Sequence, residues 1–117
     1  MPKEDYFQAG QLTDLVYLVL LTLTQPSHGY MIMQRIETLT DGEVIVGPAS
    51  LYTTVKKLTD KGYIKLVDTA DNKKVYSITD IGRLVLQIEI DKRKKLALYG
   101  ERALKGFDTE EKTNEQL

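Results

Sequence analysis

The chain has 117 residues, 42% of them hydrophobic and 28% charged, with a net charge of −1 and no cysteine. This is the profile of one globular domain, too short for two ordinary ones and short enough that a partner subunit would help cover it. Without cysteine, disulfide frameworks, thiolate zinc sites and cysteine nucleophiles are excluded.

The start, "MPKEDYFQAG", lacks a basic region followed by an apolar core, and the greasiest run, Leu15 to Leu23, is too short to cross a bilayer. The expectation is a cytoplasmic protein with no membrane partner. Charge is unevenly spread: residues 1–47 carry a net −4, residues 48–76 a net +3 and residues 77–117 a net zero. A local basic patch matters more than the total at a phosphate backbone.

Residues 1–10 read as a flexible polar arm. The first helix is expected over Gln11 to Thr24, with leucines and valines at Leu12, Leu15, Val16, Leu18, Val19, Leu20, Leu21 and Leu23. Apolar on all sides, it must be buried on all sides, and a second subunit against Leu15 and Leu18 would do this. "QPSHGY" then breaks the pattern, with Ser27 or His28 as a cap. A second helix follows over Tyr30 to Leu39, with Tyr30, Met33 and Ile36 inward and Met31 and Ile32 as further core candidates. "EVIVG" at 43–47 reads as one short edge strand.

The stretch "GPASLYTTVKKLTDKGYI" carries the chemistry. Pro48 suits the first helical position, and Gly62 ends the helix. Leu51, Val55 and Leu58 form a core stripe at i, i+4 and i+7, which turns Ala49, Ser50, Thr53, Lys56 and Lys57 outward, with Tyr52 on the flank. Next, "YIKLVDTADNKKVYSIT" reads as a hairpin with Lys73 and Lys74 at its tip. Thr79 can cap a long last helix running to about Leu104. Its apolar stripe is Ile81, Leu84, Val85, Ile88, Leu96 and Tyr99, and the helix is longer than a small domain needs. "DKRKK" at 91–95 interrupts that stripe, and residues 106–117 read as a disordered tail.

Helix, helix, strand, helix, hairpin, long helix is the order of a winged helix-turn-helix. The fold expected is mainly α (α+β): a winged helix-turn-helix domain over 11–79 and a long C-terminal helix over 80–105. The third helix would enter the major groove of DNA, with Ala49 and Ser50 allowing close approach. Thr53, Lys56 and Lys57 would meet bases or phosphates, Tyr52 a phosphate, and Lys73 and Lys74 the minor groove or its backbone. His28 is expected to be structural, with a phosphate contact as the alternative.

The motifs "SHGYMIMQRI" at 27–36, "GPASLYTTVKKLTDKGYIK" at 47–65 and "YSITDIGR" at 76–83 resemble those of PadR-type transcriptional regulators, over about residues 11–104. The resemblance implies a dimeric winged-helix repressor of the subfamily with a short C-terminal region, its helix over 80–105 being a dimerisation helix through Leu84, Val85, Ile88, Leu96 and Tyr99, with Leu15 and Leu18 of the first helix. It implies DNA contacts at Pro48, Ser50, Tyr52, Thr53, Lys56 and the wing lysines, a palindromic operator, and release by a small hydrophobic or aromatic effector. Some relatives hold flat drugs between tryptophans, and this chain has none; Tyr99 and Phe107 are its aromatics near the end of the long helix. No metal, cofactor or enzymatic constellation is expected. The alternative reading is a winged-helix module that meets a protein and binds no specific DNA.

Overall fold

The computed structural model describes residues 7–107. The order is α1 (Asp14–Thr22), β1 (Ser27–His28), α2 (Gly29–Leu39), α3 (Pro48–Asp60), β2 (Ile64–Ala70), β3 (Lys73–Ile78) and α4 (Asp80–Lys105). The strands form one antiparallel sheet in the order β1-β3-β2.

Helix α1 starts where Thr13 accepts a hydrogen bond from the Val16 amide at 3.3 Å and Asp14 stands in the first turn. It touches α2, α3 and α4, so the chain itself covers most of its apolar surface. Val16, Val19 and Leu20 are buried, while Leu15 and Leu18 remain half-buried. Ile32 and Ile36 of α2 and Leu51, Val55 and Leu58 of α3 complete the centre of the core.

Two local expectations are corrected. Residues 43–47 lie outside the sheet. Val44 and Val46 turn into the core and Ile45 into solvent, so the alternation is real but pairs with no strand. The outer position beside β3 is taken instead by Ser27 and His28, opposite Tyr76 and Val75. Tyr30 is exposed and not inward, because Ile32 and Ile36 occupy the buried side of α2; its hydroxyl accepts a hydrogen bond from Gln34 Nε2 at 3.1 Å.

The described part of the N-terminal segment does not hang free: Phe7 and Ala9 pack against the core. Residues 1–6 of the arm expected over 1–10 and residues 108–117 of the tail expected over 106–117 lie outside the described residues.

The hairpin turns on two residues only, Asp71 and Asn72, with φ of 51° and 62°. Positive φ at both centres is the geometry that matches the twist of adjoining strands, and Asp and Asn tolerate it. Lys73 and Lys74 are therefore the start of a regular strand, where pairing to Ala70 and Thr69 fixes their directions. A bulge between Leu66 and Asp68 bends the outer strand.

Helix α4 is anchored at its start. Thr79 accepts from the Gly82 amide at 3.0 Å and donates to the Gly62 carbonyl at 2.6 Å. A Cβ built on Gly82 would lie 2.0 Å from the Tyr63 carbonyl oxygen and 2.7 Å from Ile78 Cγ1. Backbone cannot swing aside as a side chain can. Gly82→Ala is therefore expected to cost about 2–3 kcal/mol of stability, read as a lower urea midpoint at unchanged slope.

The stripe on α4 splits in two. Val85, expected at a subunit interface, belongs to the chain's own core with Leu86 and is 6% exposed, so it is not available to a partner. Ile81, Leu84, Ile88, Leu96 and Tyr99 are exposed.

Candidate nucleic-acid interface

The outer side of α3 is built as its periodicity requires. Four positions, Leu51, Thr54, Val55 and Leu58, are buried, and the rest of the helix turns to solvent. Pro48, Ala49, Ser50, Tyr52, Thr53, Lys56 and Lys57 are all exposed. Gly47 precedes Pro48 as the N-cap and supplies no side chain, so the helix begins without an obstruction in front of it. At the other end Gly62, at φ +78°, closes the helix, and the Tyr63 amide reaches back to the Leu58 carbonyl at 3.0 Å.

Lys73 and Lys74 are exposed on β3. Between hairpin, α3 and the start of α2 runs a groove of about 650 Å³. Lys56, Lys73 and Lys74 line it together with His28, Tyr30 and Tyr52. Three cations and three aromatic or imidazole groups thus converge from three separated segments. His28 is half-buried, pairs through its backbone with Val75 and makes no side-chain cap bond.

Lys56 pairs with Asp60 one turn on, at 3.6 Å, with both side chains largely exposed. Such a pair is worth little in water, so the ammonium can leave it for a phosphate. Lys57 points elsewhere: its Nζ lies 5.7 Å from the centroid of the Phe7 ring. The two adjacent lysines therefore serve different neighbours.

The sequence reading missed Tyr30 and Asp60 as members of this surface. Asp60 was detectable as the i+4 partner of Lys56. Tyr30 carried no such signal, since an aromatic at a helix start reads equally as core. A second open groove, about 570 Å³ between α1 and α2, contains Arg35. That guanidinium already donates to the carbonyls of Thr22 at 3.0 Å and Gln25 at 3.3 Å, closing the end of α1.

Three helices, an outward third helix, a hairpin beside it and a small three-stranded sheet define a winged helix-turn-helix, here with a long C-terminal helix. The profile described as "Transcriptional regulator PadR-like family" matches residues 17–88. The chain belongs to this family of transcriptional regulators, which are not enzymes.

Among similar proteins is the transcriptional regulator YqjI of Escherichia coli strain K12, 29% identical over 100 residues, which cover 86% of this chain and 46% of YqjI. The chain thus spans about half the length of the curated relatives it matches. Solved structures are similar too, two of them from the same family. Bacillus subtilis PadR in complex with operator DNA is 29% identical, with a TM-score of 0.56 over 63% of this chain and 45% of that one. A PadR family transcriptional regulator from Eggerthella lenta is 28% identical, with a TM-score of 0.61 over 77% of this chain and 80% of that one. Among the described residues no helix is long and apolar enough to cross a membrane.

Proposed function

We propose that this regulator binds double-stranded DNA as a homodimer, acts as a cytoplasmic repressor at a palindromic operator, and is released by a small hydrophobic or aromatic effector. The observation that carries the DNA reading is the exposed face of α3 with the wing lysines beside it. Ala49, Thr53 and Lys56 stand outward on one side, and none of the described residues covers them. The likeness to a PadR solved on its operator supports the same reading.

In this arrangement α3 lies in the major groove, with Pro48, Ala49 and Ser50 at its leading end. Thr53 faces base edges, where its hydroxyl can donate or accept and its methyl can meet thymine. Lys56 and Tyr52 meet phosphates on one flank. Lys73 and Lys74, lining the same groove, meet the backbone or minor groove beside them, and His28 stands at the edge of the same contact. Phosphate contacts set the register and base contacts the sequence.

The dimer forms through the exposed side of α4 at Leu84, Ile88, Leu96 and Tyr99, with Leu15 and Leu18 contributing from α1. Two copies related by a twofold axis present two third helices to two half-sites. An effector lifts repression by binding better to a dimer whose half-site spacing no longer fits the operator.

Selection of bound duplex from a random pool tests the reading and yields the half-site spacing. Recovery of no enriched sequence would reject it in favour of a protein partner. On the selected duplex, Lys56→Ala is expected to weaken binding and to reduce the steepness of log K against log salt by about 0.9. Lys57→Ala is expected to change that slope less, since its ammonium stands over Phe7. Equal salt slopes for wild type and Lys56→Ala would remove Lys56 from the interface.

A further inference from the structure

We propose that Gly29 is a positioning residue for Tyr52: its missing side chain sets where the Tyr52 phenol stands on the DNA-facing surface. This rests on the DNA reading above and adds a residue to which no contact is assigned.

Gly29 opens α2, directly after the short strand that joins the helix to the wing. Its φ lies outside the left-handed region, so backbone conformation does not demand glycine there. Glycine is also a poor helix former, which makes a steric reason the natural one. That reason is visible. A Cβ at residue 29 would lie 2.9 Å from Tyr52 Oη, 3.0 Å from Cε1 and 3.2 Å from Cζ. The Tyr52 ring rests against the bare backbone of Gly29.

Tyr52 is 58% exposed, so no core fixes its ring. It leaves α3 on the flank facing α2, and the ring crosses to the start of α2 and stops there. This places the hydroxyl at the groove shared with Lys56, Lys73 and Lys74. A methyl group at residue 29 would displace the ring toward solvent. Because the ring is exposed, the displacement costs little stability; what it costs is the location of the hydroxyl. A hydrogen bond to a phosphate depends steeply on distance and angle, so misplacement by a few tenths of an ångström is felt in binding.

The test is a double-mutant cycle on a fluorescein-labelled duplex carrying the sequence selected from a random pool, at one fixed salt concentration. Wild type, Gly29→Ala, Tyr52→Ala and the double variant are titrated by anisotropy. Gly29→Ala and Tyr52→Ala are each expected to weaken binding about tenfold. The double variant is expected to bind no more weakly than Tyr52→Ala alone, because the ring that the added methyl displaces is gone. Melting curves of the single variants are expected to overlay the wild type closely.

An equal loss from Gly29→Ala with and without the Tyr52 ring would overturn the proposal, as would wild-type affinity in Gly29→Ala. Unchanged binding by Tyr52→Ala, with weakened binding by Lys56→Ala, would overturn the positioning role and leave the DNA reading standing. Absence of any bound duplex for the wild type would overturn both. Should Gly29→Ala fail to fold, recovery of folding in the double variant supports the collision, and its failure there overturns it.

Discussion

Glu89→Ala is expected to destabilise the fold by about 3–5 kcal/mol, one of the largest losses available to a single substitution in this chain. Glu89 is 1% exposed, midway along α4. Its Oε1 accepts from the Leu12 amide at 3.1 Å, and its Oε2 accepts from Arg93 Nε at 2.9 Å. Arg93 goes on to donate to Asp14 Oδ1 at 2.8 Å and to the Leu12 carbonyl at 3.1 Å, and its guanidinium lies 4.3 Å from the centroid of the Tyr17 ring. Burial works against the charged Arg93, but the hydrogen bonds to Asp14 and Glu89 outweigh it and move its pKa up from the ordinary value. Lys92 adds a bond to the Gly10 carbonyl.

The network fastens residues 10–14 to α4, and removing its carboxylate leaves a buried amide without an acceptor and a guanidinium short of one partner. Urea denaturation measures the loss. Glu89→Gln, which keeps an acceptor for the Leu12 amide, is expected to lose less. A midpoint for Glu89→Ala equal to wild type would show that the network does not hold the segment.

The double substitution Leu84→Glu, Ile88→Glu is expected to turn the proposed dimer into a folded monomer. Leu84 is 62% and Ile88 41% exposed in the single chain, so neither contributes much to its own core. Carboxylates there cost the isolated domain little. In a pair of α4 helices they would be desolvated without partners, and a weakening of roughly a hundredfold or more follows. Light scattering with circular dichroism separates the cases: half the wild-type mass with the helical signal retained is the expected result. Unchanged mass would move the subunit contact elsewhere. Val85→Glu is the control, because it places a charge in the core and is expected to unfold the chain.

Much of this architecture was legible from local pattern. The stripe at Leu51, Val55 and Leu58 predicted both the buried and the exposed sides of α3, because helical geometry leaves no freedom once the apolar side is known. Thr79 caps α4 and Pro48 opens α3, each as its residue type suggests. The strand at Ser27 and His28 was not legible. A two-residue strand has no period to detect, and its existence depends on Tyr76 and Val75, far along the chain. For the same reason 43–47 forms no strand: its alternation is that of one, but a strand also needs a neighbour with open backbone groups.

The long helix illustrates the division most clearly. Periodicity marked Leu84, Val85 and Ile88 alike as apolar, and nothing local divides such a band between two neighbours. Burial did: Val85 and Leu86 face the chain's own core, while Leu84 and Ile88 do not. Glu89 escaped notice because a charged residue in a polar-looking helix reads as solvated, and only the approach of Leu12 and Arg93 makes it internal. Nor did the tandem Lys56-Lys57 reveal that one ammonium pairs with Asp60 while the other stands over Phe7. The sequence by itself determined element order, the cap of the long helix and the outward side of α3, since these follow from spacing within each segment, and three of its motifs carry the likeness to the family. Tertiary structure alone decided which apolar side chains stay uncovered, which charges are interior and which residues from distant segments share one groove, because each is a relation between surfaces that the linear order does not contain.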